Sequence, residues 1–243
     1  MKAFAKTEVG RVRENNQDAY AIAKPEEVLQ LFVVADGMGG YKGGEIASQL
    51  AVRSVQEYLK NHWIEKKAEE QDWITTLLSD AIEYANTKVY KKAKEEQELE
   101  GMGTTLEVCV IYNNKVYIGH VGDSCVYRIR KQFIRKLTTD HSYVQELVKD
   151  GKISKEDAKT HPKKNMITKA LGCEEKVNPD ILVKGFLKDD ILLMNTDGLT
   201  NMLEEKQIYD IIQSAPEEAA NKLVEKANEF GGYDNITAVI IIK

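Results

Sequence analysis

The 243-residue chain has little cysteine, proline or histidine: three, four and four residues respectively. Cys109, Cys125 and Cys173 form an odd set with no CxxC spacing. That excludes a disulfide framework or a zinc site and leaves them as small apolar fillers in a reducing compartment. No Pro- or Ser-rich linker, internal repeat or low-complexity tract interrupts the chain, so one domain over residues 1–243 is expected. No stretch approaches the roughly 18 to 20 apolar residues of a membrane span. The start, MKAFAKTEVGRVRENNQD, turns polar and charged within ten residues and is no signal peptide. An excess of positive charge is missing too. With 34 Lys and Arg against 39 Asp and Glu the net charge is −5, which excludes a broad basic field for nucleic acid. The expectation is a soluble, cytoplasmic monomer with no membrane insertion and no nucleic-acid partner.

What is present is enough apolar residue, 42%, for a sizeable core. Residues 28–35 (VLQLFVVA) read as a strand buried on both faces towards its end. Residues 45–60 carry Ile46, Leu50, Val55 and Leu59 at helical spacing. A second helix covers roughly 71–98 and ends in a charged, solvated run. Residues 104–123 hold two strands around Asn113-Asn114, a pair that tolerates positive φ and marks a two-residue hairpin. Two more strands lie in 125–137. Residues 140–172 are polar and helical in propensity, broken at His161-Pro162, and read as an inserted helical flap. Strands at 181–187 and 191–196, helices at 204–213 and 216–229, and a closing strand at 235–242 follow. Strands joined mainly by hairpins, with amphipathic helices between them, indicate α+β: antiparallel sheets covered by helices.

Acids recur at the ends of these strands. VVADGMGG places Asp36 after an apolar run, and LLMNTDGLT does the same with Asp197. GHVGDS carries Asp123, FGGYDNIT carries Asp234 before the last strand, and VRENNQDAY carries Asp18 at a strand's beginning. Each alone is an ordinary turn. Together they can converge on one edge of a packed sheet pair, where clustered carboxylates repel unless cations sit between them. Oxygen ligands select hard ions, Mg²⁺ or Mn²⁺. The glycines after Asp36 let a carbonyl such as that of Gly37 approach a metal closely. Two cations sharing a water lower its pKa and yield a hydroxide nucleophile. Arg13, five residues before Asp18, offers a guanidinium that matches phosphate oxygens. An arginine beside such a cluster points to phosphate-ester hydrolysis.

GRVRENNQD, VVADGMGG, GMGTT, GHVGDS, MNTDGL and GGYDNIT occur in this order, and the chain from about Thr7 to Ile242 resembles the metal-dependent protein serine/threonine phosphatases of type 2C, above all the compact bacterial members. The resemblance implies two antiparallel β-sheets flanked by helices, with a dinuclear Mn²⁺ or Mg²⁺ centre at the sheet edges. It implies that Asp36 bridges the metals, that the Gly37 carbonyl is a further ligand, and that Asp197 and Asp234 bind the second ion. Asp18 resembles the acid that hydrogen-bonds metal-bound water, and Arg13 the phosphate-binding arginine. Asp123, with Asp197, fits a third, weaker metal near the flap. The implied activity is hydrolysis of phosphoserine and phosphothreonine in proteins by the metal-bridging water, opposing a bacterial serine/threonine protein kinase. Substrate choice is expected from the flap.

Two positions depart from the family pattern. Met38 stands where many eukaryotic members carry a histidine proposed as general acid, so the proton donor is left open. Gln17 stands where others have glutamate, and it still accepts hydrogen bonds. Among the histidines, His62 is expected at the surface, His120 packed or hydrogen-bonded, and His141 capping the flap's first helix; His161 is the one to test as an acid. None of the cysteines sits in a phosphate-cradling loop. A catalytically inactive relative used as a regulatory binding module would have lost metal acids, yet Asp36, Asp197 and Asp234 are present. A calcium-binding structural protein would need a D-x-D-x-D-G loop, and there is none.

Overall fold

A computed structural model describes the backbone of residues 1–243 and every side chain except those of Tyr41, Lys66, Glu69 and Gln71. Its strands are β1 (Lys2–Glu8), β2 (Asp18–Ile22), β3 (Gln30–Met38), β4 (Gly103–Thr104), β5 (Leu106–Tyr112), β6 (Lys115–Val121), β7 (Cys125–Arg130), β8 (Phe133–Lys136), β9 (Asp180–Gly185), β10 (Ile191–Asn195) and β11 (Ile236–Ile242). Its helices are α1 (Gly40–His62), α2 (Gln71–Glu95), α3 (Tyr143–Lys149), α4 (Lys155–Thr160), α5 (Asp197–Thr200), α6 (Glu205–Ser214) and α7 (Ala219–Glu229). One sheet runs β1-β11-β10-β7-β8 and the other β2-β3-β5-β6-β9, with β4 paired to the end of β3. Neighbouring strands are antiparallel throughout.

Strand side chains alternate between two faces, and here both faces are covered. In β3, Leu31, Val33 and Ala35 pack under α1 and α2, whereas Phe32 and Val34 point between the sheets. From the other sheet, Leu192, Met194, Val239 and Ile241 meet them. Leu193, Ala238 and Ile240 face outward, against Leu199, Ile208 and Leu223 of α5, α6 and α7. The result is a four-layer sandwich, helices outside and sheets inside. This double burial is why residues 31–35 are apolar without a break.

Several local expectations have identifiable outcomes. Asn113 and Asn114 take φ of 49° and 60°, as the two-residue hairpin requires. Strand β3 continues through Met38, so Asp36 lies inside it rather than at its end. Helix α1 starts at Gly40, before the apolar periodicity begins at Ile46. Asp197 opens the short helix α5 instead of a plain turn. The flap holds only two short helices, α3 and α4. Its root is closed by the Ser142–Ile167 bridge and by the Tyr143 amide donating to the Met166 carbonyl. No helix among the described residues is long and apolar enough to cross a membrane.

Candidate active site

The alternation that builds the core also builds the site. Asp36 continues the series of Phe32 and Val34, so it faces the space between the sheets where β3 leaves the core. Strand β2 pairs with β3 so that Asp18 lies directly opposite Asp36. From the other sheet, Thr196 and Thr237 donate to Asp18 Oδ2 at 2.9 and 2.6 Å. Asp18 Oδ1 is buried without a partner. The Asp36 backbone is held by Thr105: its amide donates to Thr105 Oγ1 at 2.9 Å, and its carbonyl accepts from the Thr105 amide at 2.8 Å.

Two glycines permit the close approach of backbones around these acids. A Cβ on Gly37 would stand 2.0 Å from the Gly44 carbonyl oxygen, so any side chain there would displace α1. A Cβ on Gly198 would stand 2.0 Å from the Asn235 carbonyl oxygen, which would separate Asp197 from Asp234. Packing alone therefore demands glycine at position 37, a reason the strand-end pattern did not disclose. Asn235 ties loops together: its Oδ1 accepts from the Gln17 amide at 2.8 Å, and its Nδ2 donates to the Val9 and Asn15 carbonyls, each at 2.9 Å. Gln17 donates its own Nε2 to the Gly40 carbonyl at 2.9 Å, a bond that a glutamate could not make.

The acids strain one another. Burial, opposed by the two threonine hydroxyls and reinforced by Asp197 and Asp234, pushes Asp18 up to about 7. Burial, then Asp18, Asp197, Asp123 and Asp234, holds Asp36 well above the ordinary carboxylate range. Burial and Asp197 push Asp123 up to about 7. Burial and Asp234 push Asp197 up to about 6, although Asn201 and a hydrogen bond with Asp36 oppose the rise. Two carboxyl groups share such a bond only through a proton, and a cation relieves the repulsion equally well. Arg13 Nη2 donates to Asp234 Oδ2 at 2.8 Å, and about half of the Arg13 side chain is exposed. With Val12, Glu14 and Gln17 it lines an open cavity of about 300 Å³.

All the acids singled out in the sequence thus interact, and Arg13 stands beside them. Among the described residues no three His, Cys, Asp or Glu side chains already close on one point as a ligand shell. Hard ions keep several waters and take backbone carbonyls as well as carboxylates. An all-oxygen donor set with mutually raised carboxyls and an unpartnered Asp18 Oδ1 fits divalent cations of the Mn²⁺ or Mg²⁺ kind.

The histidines stay apart from the acids. His62 is exposed and stacks on Tyr58. His120 is fully buried and paired with Glu107. His161 ends α4, where its Nδ1 accepts from the Lys163 amide. The cap of α3 is Ser142, whose hydroxyl accepts from the Gln145 amide, and not His141. Sequence reasoning missed Thr196, Thr237 and Asn235; only their placement beside Asp197 and Asp234 could have flagged them.

Carboxylates in and beside the strands, gathered with one arginine between two antiparallel sheets, are the equipment of a phosphoester hydrolase. Residues 10–226 match the protein phosphatase 2C family model. The chain belongs to the protein phosphatase 2C family of serine/threonine phosphatases. It is 41% identical to the serine/threonine phosphatase stp of Listeria welshimeri, covering 99% of this chain and 95% of that one. It is 37% identical to the protein phosphatase PhpP of Streptococcus pneumoniae over 97% of this chain and 94% of that one. Among solved structures, the S. agalactiae serine/threonine phosphatase superposes with a TM-score of 0.90 at 35% identity, covering 100% of this chain and 99% of the other. The catalytic domain of the phosphatase PstP, solved with two manganese ions, superposes with a TM-score of 0.85 at 30% identity, covering 98% and 96%.

Proposed function

We propose that residues 1–243 form one catalytic domain that hydrolyses phosphoserine and phosphothreonine in proteins. The observation that carries this reading is the convergence of Asp18, Asp36, Asp123, Asp197 and Asp234, each of the first four pushed upward by burial and by its neighbours, beside the Arg13 guanidinium. Asp36 with the Gly37 carbonyl, Asp197 and Asp234 would hold a pair of Mn²⁺ or Mg²⁺ ions, and Asp123 a third. When bound, these ions would supply positive charge to the phosphate and an acidified water as nucleophile.

The chain's own groups do the rest. Arg13, half in solvent at the cavity rim, takes two phosphate oxygens and orients the phosphorus for in-line attack. Asp18, fixed through Oδ2 by Thr196 and Thr237, presents its free Oδ1 to accept a proton from the attacking water. Met38 offers no proton, so the leaving seryl or threonyl oxygen takes its proton from a water or from another group. With water as the nucleophile, no phosphoenzyme forms.

The substrate class requires a protein kinase to make it, and we infer that the enzyme opposes a bacterial serine/threonine kinase. Its three cysteines are all free, and Cys173 is exposed. A free exposed thiol fits a reducing cytoplasm, and the scattered single exposed apolar side chains fit a monomer. The test is hydrolysis of phosphoserine and phosphothreonine peptides with Mn²⁺ and after full chelation. Turnover that survives chelation, or that persists in Asp36→Asn, sinks the reading.

A further inference from the structure

A second group of titratable side chains is buried at the root of the flap. His120 and Glu107 are cross-strand partners in β5–β6, both fully buried, and joined through Nδ1 and Oε1. The other ring nitrogen of His120, Nε2, meets the Thr139 carbonyl at 2.8 Å. This fixed ring is the platform for His141, which stacks on it with centroids 4.5 Å apart.

His141 takes both backbone polar groups of Gly122, the residue before Asp123. Its amide donates to the Gly122 carbonyl at 2.7 Å, and its Nδ1 accepts from the Gly122 amide at 3.1 Å. Gly122 has φ of 110°, and a turn so disposed has no regular ladder to hold it. The His141 carbonyl accepts from the Thr168 amide at 2.8 Å, on the far side of the flap. Because Nδ1 accepts, the ring proton sits on Nε2, which lies 3.3 Å from Asp180 Oδ1 and 3.2 Å from Lys169 Nζ. Burial, with His120 and Lys169 nearby, pushes His141 down to about 4 and keeps this neutral form.

We propose that His141 is a positioning residue that holds the Asp123 turn and ties it to the root of the flap, so that the two keep one relative placement. Its consequence for metal rests on the reading of Asp123 given above; the clamp on Gly122 does not.

Two variants separate the two ends of the ring. In His141→Asn the side-chain oxygen replaces Nδ1 as acceptor for Gly122 but cannot reach Asp180. In His141→Gln the amide replaces Nε2 and the Gly122 acceptor is lost. Amide hydrogen exchange of the full chain, with thermal melts to confirm folding, reads residues 121–124 and 168–181. His141→Gln should speed exchange at 121–124 by roughly fivefold or more, as expected for one lost hydrogen bond, and His141→Asn should not. His141→Asn should instead speed exchange at 168–181, where Lys169 and Asp180 meet Nε2. Exchange unchanged in both variants, or equal in both at both segments as simple loss of packing would give, overturns the proposal. Calorimetric Mn²⁺ binding is the second readout. A several-fold loss of the weakest site in His141→Gln supports the link to metal. Faster exchange at 121–124 with unaltered Mn²⁺ binding leaves the clamp standing and removes Asp123 as a ligand.

Discussion

Asp18 stands directly across the β2–β3 pair from Asp36, while the next three pairs along the ladder are Ala19 with Ala35, Tyr20 with Val34 and Ala21 with Val33. Like charges opposite one another weaken a sheet. The weakness is confined to the register position where β3 leaves the core, and the apolar pairs behind it keep the register. A proton or a cation there removes the repulsion, so the fold and the cation requirement share a cause.

Removing one of the two charges should separate stability from activity. Asp36→Asn is expected to raise the Tm measured in EDTA, because Asp18, Asp197 and Asp123 lose a repelling neighbour. It should also lower kcat/KM in Mn²⁺ by about a thousandfold, equivalent to about 4 kcal/mol of lost charge stabilisation. Paired thermal melts and phosphopeptide kinetics check both; a lower Tm in EDTA would show that Asp36 is needed for folding itself.

The raised carboxyls also set a pH dependence. Asp18 and Asp123 lie at about 7 and Asp197 at about 6 in the folded chain, against an ordinary 3.8. Between those limits the metal-free folded protein holds protons that the unfolded chain has lost. Stability rises with pH only where the unfolded state binds more protons, so here it falls from about pH 4 to about pH 7. In EDTA the Tm should drop between pH 5 and pH 8 by at least about 2–4 °C, the effect of about 1 kcal/mol in a chain of this size. Mn²⁺ added at pH 8 should restore it, and Mn²⁺ binding measured near pH 6 should release protons. A Tm that climbs across this window without metal contradicts the mutual strain of the acids.

How much of this was legible depended on whether the signal was local. The apolar run before Asp36 and the Asn113-Asn114 turn are local, and both elements formed, although the strand runs on past the expected end to Met38. Strand β1 was not noticed: KAFAKTE lies at a sheet edge and is only half-buried, so it lacks the dense apolar signal of a core strand. The facing of Asp18 and Asp36 is a matter of register between strands and leaves no trace in either segment. The Glu107–His120 pair was legible in principle, since counting back from the Asn113-Asn114 turn sets Glu107 opposite His120. Gly37 stood out in the sequence for its carbonyl, and the fold adds a steric reason for it. Its need for glycine comes from α1 crossing at the Gly44 carbonyl, a tertiary approach with no sequence signature.

The threonine pair across the sandwich gives another prediction. Thr196 Oγ1 donates to Asp18 Oδ2 and accepts from the Thr237 amide at 3.0 Å. Thr196→Val removes both bonds in a fully buried place and should cost about 1–3 kcal/mol of stability. It should also move the acid limb of the pH profile of kcat/KM upward, since ionised Asp18 loses a donor. Thr196→Ser keeps the hydroxyl and should restore the profile even if packing suffers. A Thr196→Val enzyme with lowered stability and an unmoved pH limb would make the threonine purely structural.

Arg13 and Asp234 allow the sharpest division between holding the fold and holding the substrate. Their contact is 2.8 Å long, but about half of the arginine side chain is exposed. Such surface pairs are worth about 0–1 kcal/mol, so Arg13→Ala should leave the Tm nearly unchanged. If Arg13 instead releases Asp234 to a cation and turns to the phosphate, the loss is that of charge-assisted bonds, about 1.5–3 kcal/mol, or roughly 10- to 150-fold in KM. The same loss should appear with p-nitrophenyl phosphate and with phosphopeptides, because the contact is to the phosphate they share. Arg13→Lys should recover only part of it, since a point charge cannot reproduce the planar fork. A fall in kcat with KM unchanged would instead place Arg13 in the transition state alone, and a large fall in Tm would return it to the fold.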